Sequence, residues 1–223
     1  AGGAAVVGNV RANQQEAEEV VARIEAQGGR VATAFGDVAD PQTGERLART
    51  AVERFGRIDI LVNNAALRRE TALEDMSFEE WRQITATILD GAFHCTKAAL
   101  PHLKRSGSGC IVNIGGMSGH VGAKNRAHVV TAKSGLVGLT RAMAHEFAAY
   151  DITVNCVVPG MIDTPAGKPA GGPAPQHYRF AQPLNGRKGT VQEIASLVRY
   201  LCGDGARYIT GQAIHVNGGA YMG

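Results

Sequence analysis

Short apolar runs alternate with amphipathic stretches along the whole of this chain, and that alternation restricts its fold more than any other feature. The run IDILVNNAA (58–66) is apolar almost without interruption up to its two asparagines. A strand with one wet face alternates apolar and polar residues, whereas a strand covered by helices on both faces does not. The chain therefore reads as a parallel sheet with a helical layer on each side.

The surrounding segments fit that reading. AAVVGNV (4–10) is strand-like, and the helix that follows carries Val20, Val21 and Ile24 on one face and stops at Gly28-Gly29. RVATAF (30–35) is the next strand. Asp40 and Pro41 then supply an N-cap and a first-turn proline for a helix. Ser77 and Glu80 have capping-box spacing, as do Thr190 and Glu193. Between them lie the strand GCIVNIGG, a helix containing Lys133, the strand ITVNCVVPG and a Pro/Gly-rich loop from 164; AIHVNGG is the last strand. No repeat or linker divides the chain, so residues 1–223 form one α/β domain with a doubly wound parallel sheet.

Composition excludes several classes of function. The formal charge of +3 is scattered and aromatics make up 5%, which gives no nucleic-acid surface. Cys95, Cys110, Cys156 and Cys202 have neither CxxC nor metal-ligand spacing and read as buried thiols of a cytoplasmic protein. No apolar run is long enough for a membrane span, and no signal peptide is evident.

Seven segments, in order, resemble the short-chain dehydrogenase/reductase family: GDVAD (36–40), NNAA (63–66), LDGAFHCTKAALP, IVNIGG, AKSGLVGLTRAMAHE, ITVNCVVPG with IDT, and ITGQAIHVNGG. The resemblance covers nearly the whole chain and implies a Rossmann-like sheet binding a nicotinamide dinucleotide. It implies that Asp37 meets the adenine, that Asn64 and Ala65 close over the adenosine side, and that Pro159, Gly160 and Thr164 line the cofactor site. It further implies that Lys133 holds the nicotinamide ribose. A small alcohol or carbonyl compound is the implied substrate. Homotetramers or homodimers would form through the helices LDGAFHCTKAALPHL and VVTAKSGLVGLTRAMAHEF.

Two departures stand out. The family opens with a strand, a TGxxxGIG-type loop and a helix ahead of the strand seen here as AAVVGNV; this sequence has no such loop, so a first βα unit is expected to be missing and the domain N-terminally incomplete. The family's acid/base Tyr, carbonyl-orienting Ser and relay Asn fall on Val129, Gly116 and Ile88, none with a side chain that handles a proton.

Substitute acids are scarce. His128 adjoins the Tyr position but projects about 100° away on a helix, while Ser118 and His120 follow the NIGG strand and are candidate pocket residues. His177 and Tyr178 sit in the Pro/Gly-rich loop. Arg11, with no acid near the end of its strand, favours NADP over NAD by pairing with a 2′-phosphate. Two functions remain open: an NAD(P)-dependent oxidoreductase with an atypical site, or a catalytically degenerate relative that binds a dinucleotide or a partner.

Overall fold

The computed structural model describes residues 3–164 and 182–223. Strands β1 (Ala5–Val10), β2 (Arg30–Phe35), β3 (Ile60–Asn63), β4 (Cys110–Ile114), β5 (Thr153–Pro159) and β8 (Ala213–Val216) alternate with helices α1 (Gln14–Glu25), α2 (Pro41–Phe55), α3 (Phe78–Thr85), α4 (Gly91–Ser106), α5 (Ser118–Val121), α6 (Ala127–Phe147) and α7 (Val191–Leu201). A π-helical turn, Ala86–Asp90, joins α3 to α4. Two short strands, β6 (Ile162–Asp163) and β7 (Gly189–Thr190), pair with each other.

Local chemistry explains the boundaries. Asn13 caps α1 by accepting from the Glu16 amide, and Asp40 caps α2 by accepting from Gln42 ahead of Pro41. Gly56, at φ 84°, ends α2 in the left-handed region that glycine enters at no steric cost. Thr190 and Glu193 form both halves of the expected capping box. At Ser77 only half of it forms. The Ser77 hydroxyl accepts from the Glu80 amide, but the Glu80 carboxylate turns away to Thr71 and His128.

All strand pairs are parallel, in the orders β2-β1 and β3-β4-β5-β8. Side chains alternate across β4 and β5. Ile111 and Val154 pack with Leu103 of α4 and Phe147 of α6, while Val112 and Val157 face Leu201 of α7 on the other side. Helices thus cover both faces, as the apolar strands require.

The expectation fails for β3. Ile60 is 38% and Val62 42% exposed, although their sequence reads as a fully covered strand, and Val6 of β1 is 45% exposed. The facing edges of β1 and β3 pair with no strand among the described residues, so their side chains border a gap instead of a neighbour. Burial on a sheet face depends on adjacent strands as well as on the helix above.

Candidate active site

The carboxyl ends of β3, β4 and β5 open on a cavity of about 940 Å³ that also reaches into the β1–β3 gap. In open α/β sheets, ligands bind in a crevice at this end of the strands. Lys133, on α6, is 8% exposed and extends to β4, where its Nζ donates to the Ile114 carbonyl at 2.6 Å. The approach depends on Gly119: a Cβ there would stand 2.9 Å from the Lys133 backbone, and the Gly119 carbonyl accepts from Ser134 Oγ.

Burial pushes the Lys133 ammonium down to about 8; Cys156 opposes the shift and Arg68 adds to it. Cys156 itself is raised to about 11, mainly by burial. Val129 lies one turn before Lys133 and lines the cavity, as do Gly116, Ser118, Asn64, Pro159, Gly160 and Thr164. Gly160 is required structurally as well, since a Cβ there would meet the Asn217 backbone at 2.7 Å.

Gly116, Val129 and Ile88 do not share one surface. Gly116 faces the cavity. Val129 does so partly and otherwise packs with Ile84, Ala92 and Leu136. Ile88, on the π-helical turn, is buried in that same apolar cluster and does not line the cavity. Val129 and Ile88 belong to one apolar cluster, so their side chains support each other.

Several sequence-derived candidates fall elsewhere. His120 does not line the cavity; its ring packs against His215 and Tyr221, with centroids 4.5 and 5.8 Å away. Burial, and then Arg141, lowers its pKa. His128 is fully buried, with Nε2 3.0 Å from Glu80 and Nδ1 accepting from the Val129 amide, so both ring nitrogens are engaged away from the pocket. Arg11, Asp37 and Ala65 are exposed and outside the cavity lining, and Asp37 accepts from the Ala39 amide. His177 and Tyr178 lie outside the described residues.

Two features had no clear sequence signal. Arg68, Arg126 and Arg199 line the cavity, and no Asp or Glu accompanies them among the described residues. Arginines in a loop, at a helix start and on a far helix have no common spacing. Asn63 donates to Asn113, which donates to Thr140, linking β3, β4 and α6 through buried amides. The Asn63 part of that chain lies in the NNAA motif; its partners became visible only in three dimensions.

The thiols are free, with Cys95, Cys110 and Cys156 buried and Cys202 half-buried. Cys110 and Cys202 lie 4.0 Å apart; hydrogen bonding to Cys202 brings Cys110 down to about 7 and raises Cys202. Among the described residues, no cluster suited to a metal occurs and no helix is long and apolar enough to cross a membrane.

A family model described as enoyl-(acyl carrier protein) reductase matches residues 1–221. The chain belongs to the short-chain dehydrogenase/reductase family. It is 38% identical over 214 residues to a 3-oxoacyl-[acyl-carrier-protein] reductase of Staphylococcus aureus, covering 96% of this chain and 87% of that protein. A Synechocystis 3-oxoacyl-[acyl-carrier-protein] reductase is 37% identical over 222 residues, covering 99% and 88%. Among solved structures, a doubly substituted short-chain dehydrogenase/reductase of Serratia marcescens superposes with TM-score 0.87 at 34% identity, covering 97% of this chain and 87% of that one. Acetoin dehydrogenase of Salmonella typhimurium gives TM-score 0.85 at 34% identity, covering 96% and 85%.

Membership brings an oxidoreductase scaffold and NAD(P) as the family's cofactor. The residues present fit the nicotinamide-ribose end. Lys133 offers an ammonium, Asn64 an amide, Ser118 and Thr164 hydroxyls, and Ile114 and Ile162 an apolar wall, all on one cavity. Toward the β1–β3 gap the cavity is lined by Ala4, Val6, Ile60 and Val62 instead.

Proposed function

We propose that this chain is an NAD(P)-dependent oxidoreductase that acts on a small alcohol or carbonyl compound from an altered active site. The observation that carries this reading is Lys133, which meets Asn64, Pro159, Gly160 and Thr164 on one cavity at the carboxyl ends of the strands. The named relatives include reductases of 3-oxoacyl groups and an acetoin dehydrogenase; their shared alcohol–carbonyl chemistry, rather than either molecule, is what we carry over.

When bound, a reduced nicotinamide supplies a hydride to the carbonyl carbon. Lys133 grips ribose hydroxyls, Asn64 and Thr164 orient the cofactor, and Val129 and Ile114 keep that end of the cavity dry. Asp37 serves the adenine, with Ala65 closing over the adenosine side. Arg11, at the end of β1 with no acid beside it, makes NADP the first choice over NAD. No side chain takes the Tyr's place at 129, so proximity and orientation carry most of the rate enhancement and turnover is slow.

A further parallel strand and its glycine loop complete the sheet between β1 and β3 in the working protein. Val6, Ile60 and Val62, exposed along two open edges, support this. The protein is cytoplasmic, which its four free thiols support, and it assembles as a homotetramer or homodimer through α4 and α6. Half-exposed Phe93 on α4 supports that interface, and light scattering checks the mass.

The second reading is a degenerate, binding-only relative. Ile88 and Val129 favour it, since the positions matched to the family's relay Asn and acid/base Tyr belong to an apolar core. The experiment is a titration of the full-length protein with NADPH and NADH, followed by a carbonyl and alcohol screen. Slow turnover that rises about 10²–10⁴-fold in Val129→Tyr/Gly116→Ser, the usual worth of a positioned acid–base group, is the expected result. Binding without turnover in either protein selects the second reading, and failure to bind removes the first and leaves the second only as a partner-binding relative. Ile88 is left unchanged because an amide there would be buried in the apolar cluster.

A further inference from the structure

Lys133 has features that holding a ribose does not require. It is buried, and no carboxylate pairs with it among the described residues. Arg68 and Cys156, on β5, are the charged and titratable groups that act on it, and Arg126 and Arg199 line the same cavity. Burial raises the Cys156 thiol to about 11, so it is protonated at neutral pH and opposes the lowering of Lys133 only where it ionises. A lysine that is desolvated, or set beside other cations, is the arrangement that releases a nucleophilic amine near neutral pH.

The space around it suits a small reactant. A Cβ on Gly116 would lie 3.8–3.9 Å from Cγ, Cδ and Cε of Lys133, so its absence leaves the length of the lysine stem open to the cavity. Val129 offers only methyl groups, and Ser118 places a hydroxyl on the same cavity.

We infer that Lys133 is a nucleophilic amine that captures small aldehydes or ketones inside the cavity as an imine. The neutral nitrogen's lone pair attacks the carbonyl carbon, and the π pair moves to oxygen to give a carbinolamine. Ser118 lies on the cavity wall to hydrogen-bond that oxygen. The C–O bond then breaks and a C=N bond forms; the two amine hydrogens leave with the oxygen as one water, so no oxidant or reductant enters. Capture is reversible and competes with the ribose for the same nitrogen.

The lowered Lys133 ammonium, at about 8, sets the expected pH range. At pH 7 its neutral fraction is on the order of 10²-fold that of an exposed lysine. The test treats the full-length protein with propionaldehyde and cyanoborohydride and maps N-propyl lysines by peptide mass spectrometry. Lys97, Lys124 and Lys188, all exposed, are internal controls. Lys133 is expected to react at least about tenfold faster than they do at pH 7, with a rate that levels off above about pH 8, and Lys133→Arg loses the fast adduct. Reaction no faster than the controls, or a rate still rising above pH 10, overturns the inference. The controls sit in the same molecule, so the result does not depend on a variant folding. An NADPH titration run alongside keeps the readings separate: capture without dinucleotide binding removes the proposed function and keeps this inference, and binding without capture does the reverse.

Discussion

β4 and β3 are adjacent parallel strands of similar composition, yet they occupy opposite extremes of burial. Cys110, Ile111 and Val112 on β4 are buried, whereas Ile60 and Val62 on β3 are well exposed. β4 has a strand on each edge, β3 on one and a helix beneath; β3's other edge borders the gap. Burial, and with it most hydrophobic stabilisation, is therefore decided by sheet neighbours and cannot be assigned from the residue types alone.

The largest expected effect tests that contrast directly. Leu103→Ala removes a side chain packed between α4, β4 and α6 and is expected to cost about 2–5 kcal/mol. Val62→Ala, on the open strand, is expected to cost less than about 1 kcal/mol, as surface changes usually do. Urea denaturation of both variants reads the difference. Equal losses would mean that β3 is covered in solution and would abolish the contrast.

A smaller effect asks whether the two strands are coupled through their interior. Asn113→Val removes the shared partner of Asn63 and Thr140, which keep only Thr96 and the Leu136 carbonyl, and each lost hydrogen bond costs about 0.5–1.5 kcal/mol. The denaturation midpoint should fall by a corresponding amount. If it does not, the amide chain is not what holds β3 against β4.

The smallest effect concerns pH. The Thr71 hydroxyl holds Glu80 below its usual 4.5, with help from His128 and Arg69. A carboxyl depressed in the folded state adds stability above its unfolded pKa, and that stability is lost as pH falls through the folded value. Glu80→Gln is therefore expected to lose about 1 kcal/mol at pH 7, with the deficit relative to the unaltered chain shrinking below about pH 4.5. Urea midpoints at pH 7, 5 and 3.5 check this, and a pH-independent deficit would show that the ionised carboxylate is not the source.

Part of the cavity lining was named from the family resemblance. Lys133, Gly116 and Val129 fall on one cavity because a helix repeat and a strand end fix their separation. Asn64, Pro159, Gly160 and Thr164 join them because each follows a strand at the same edge of the sheet. His120 was misplaced: the short helix α5 turns its ring toward His215 and Tyr221, and the direction of a four-residue helix is set by what it packs against. Glu80 was read as a capping partner because spacing cannot reveal that Thr71 and His128 compete for its carboxylate.

The sequence by itself determined the order of strands and helices, their parallel pairing and the residue types at 88, 116 and 129, none of which carries a proton-handling side chain. Those properties follow from periodicity, cap chemistry and residue type, which are local. Only the tertiary structure decided that Ile88 joins Val129 in an apolar core, that three arginines and, among the described residues, no Asp or Glu line the cavity with Lys133, and that β1 and β3 face each other across open edges. Each of these depends on segments far apart in the chain, and a side chain's environment is set by whatever the fold brings beside it.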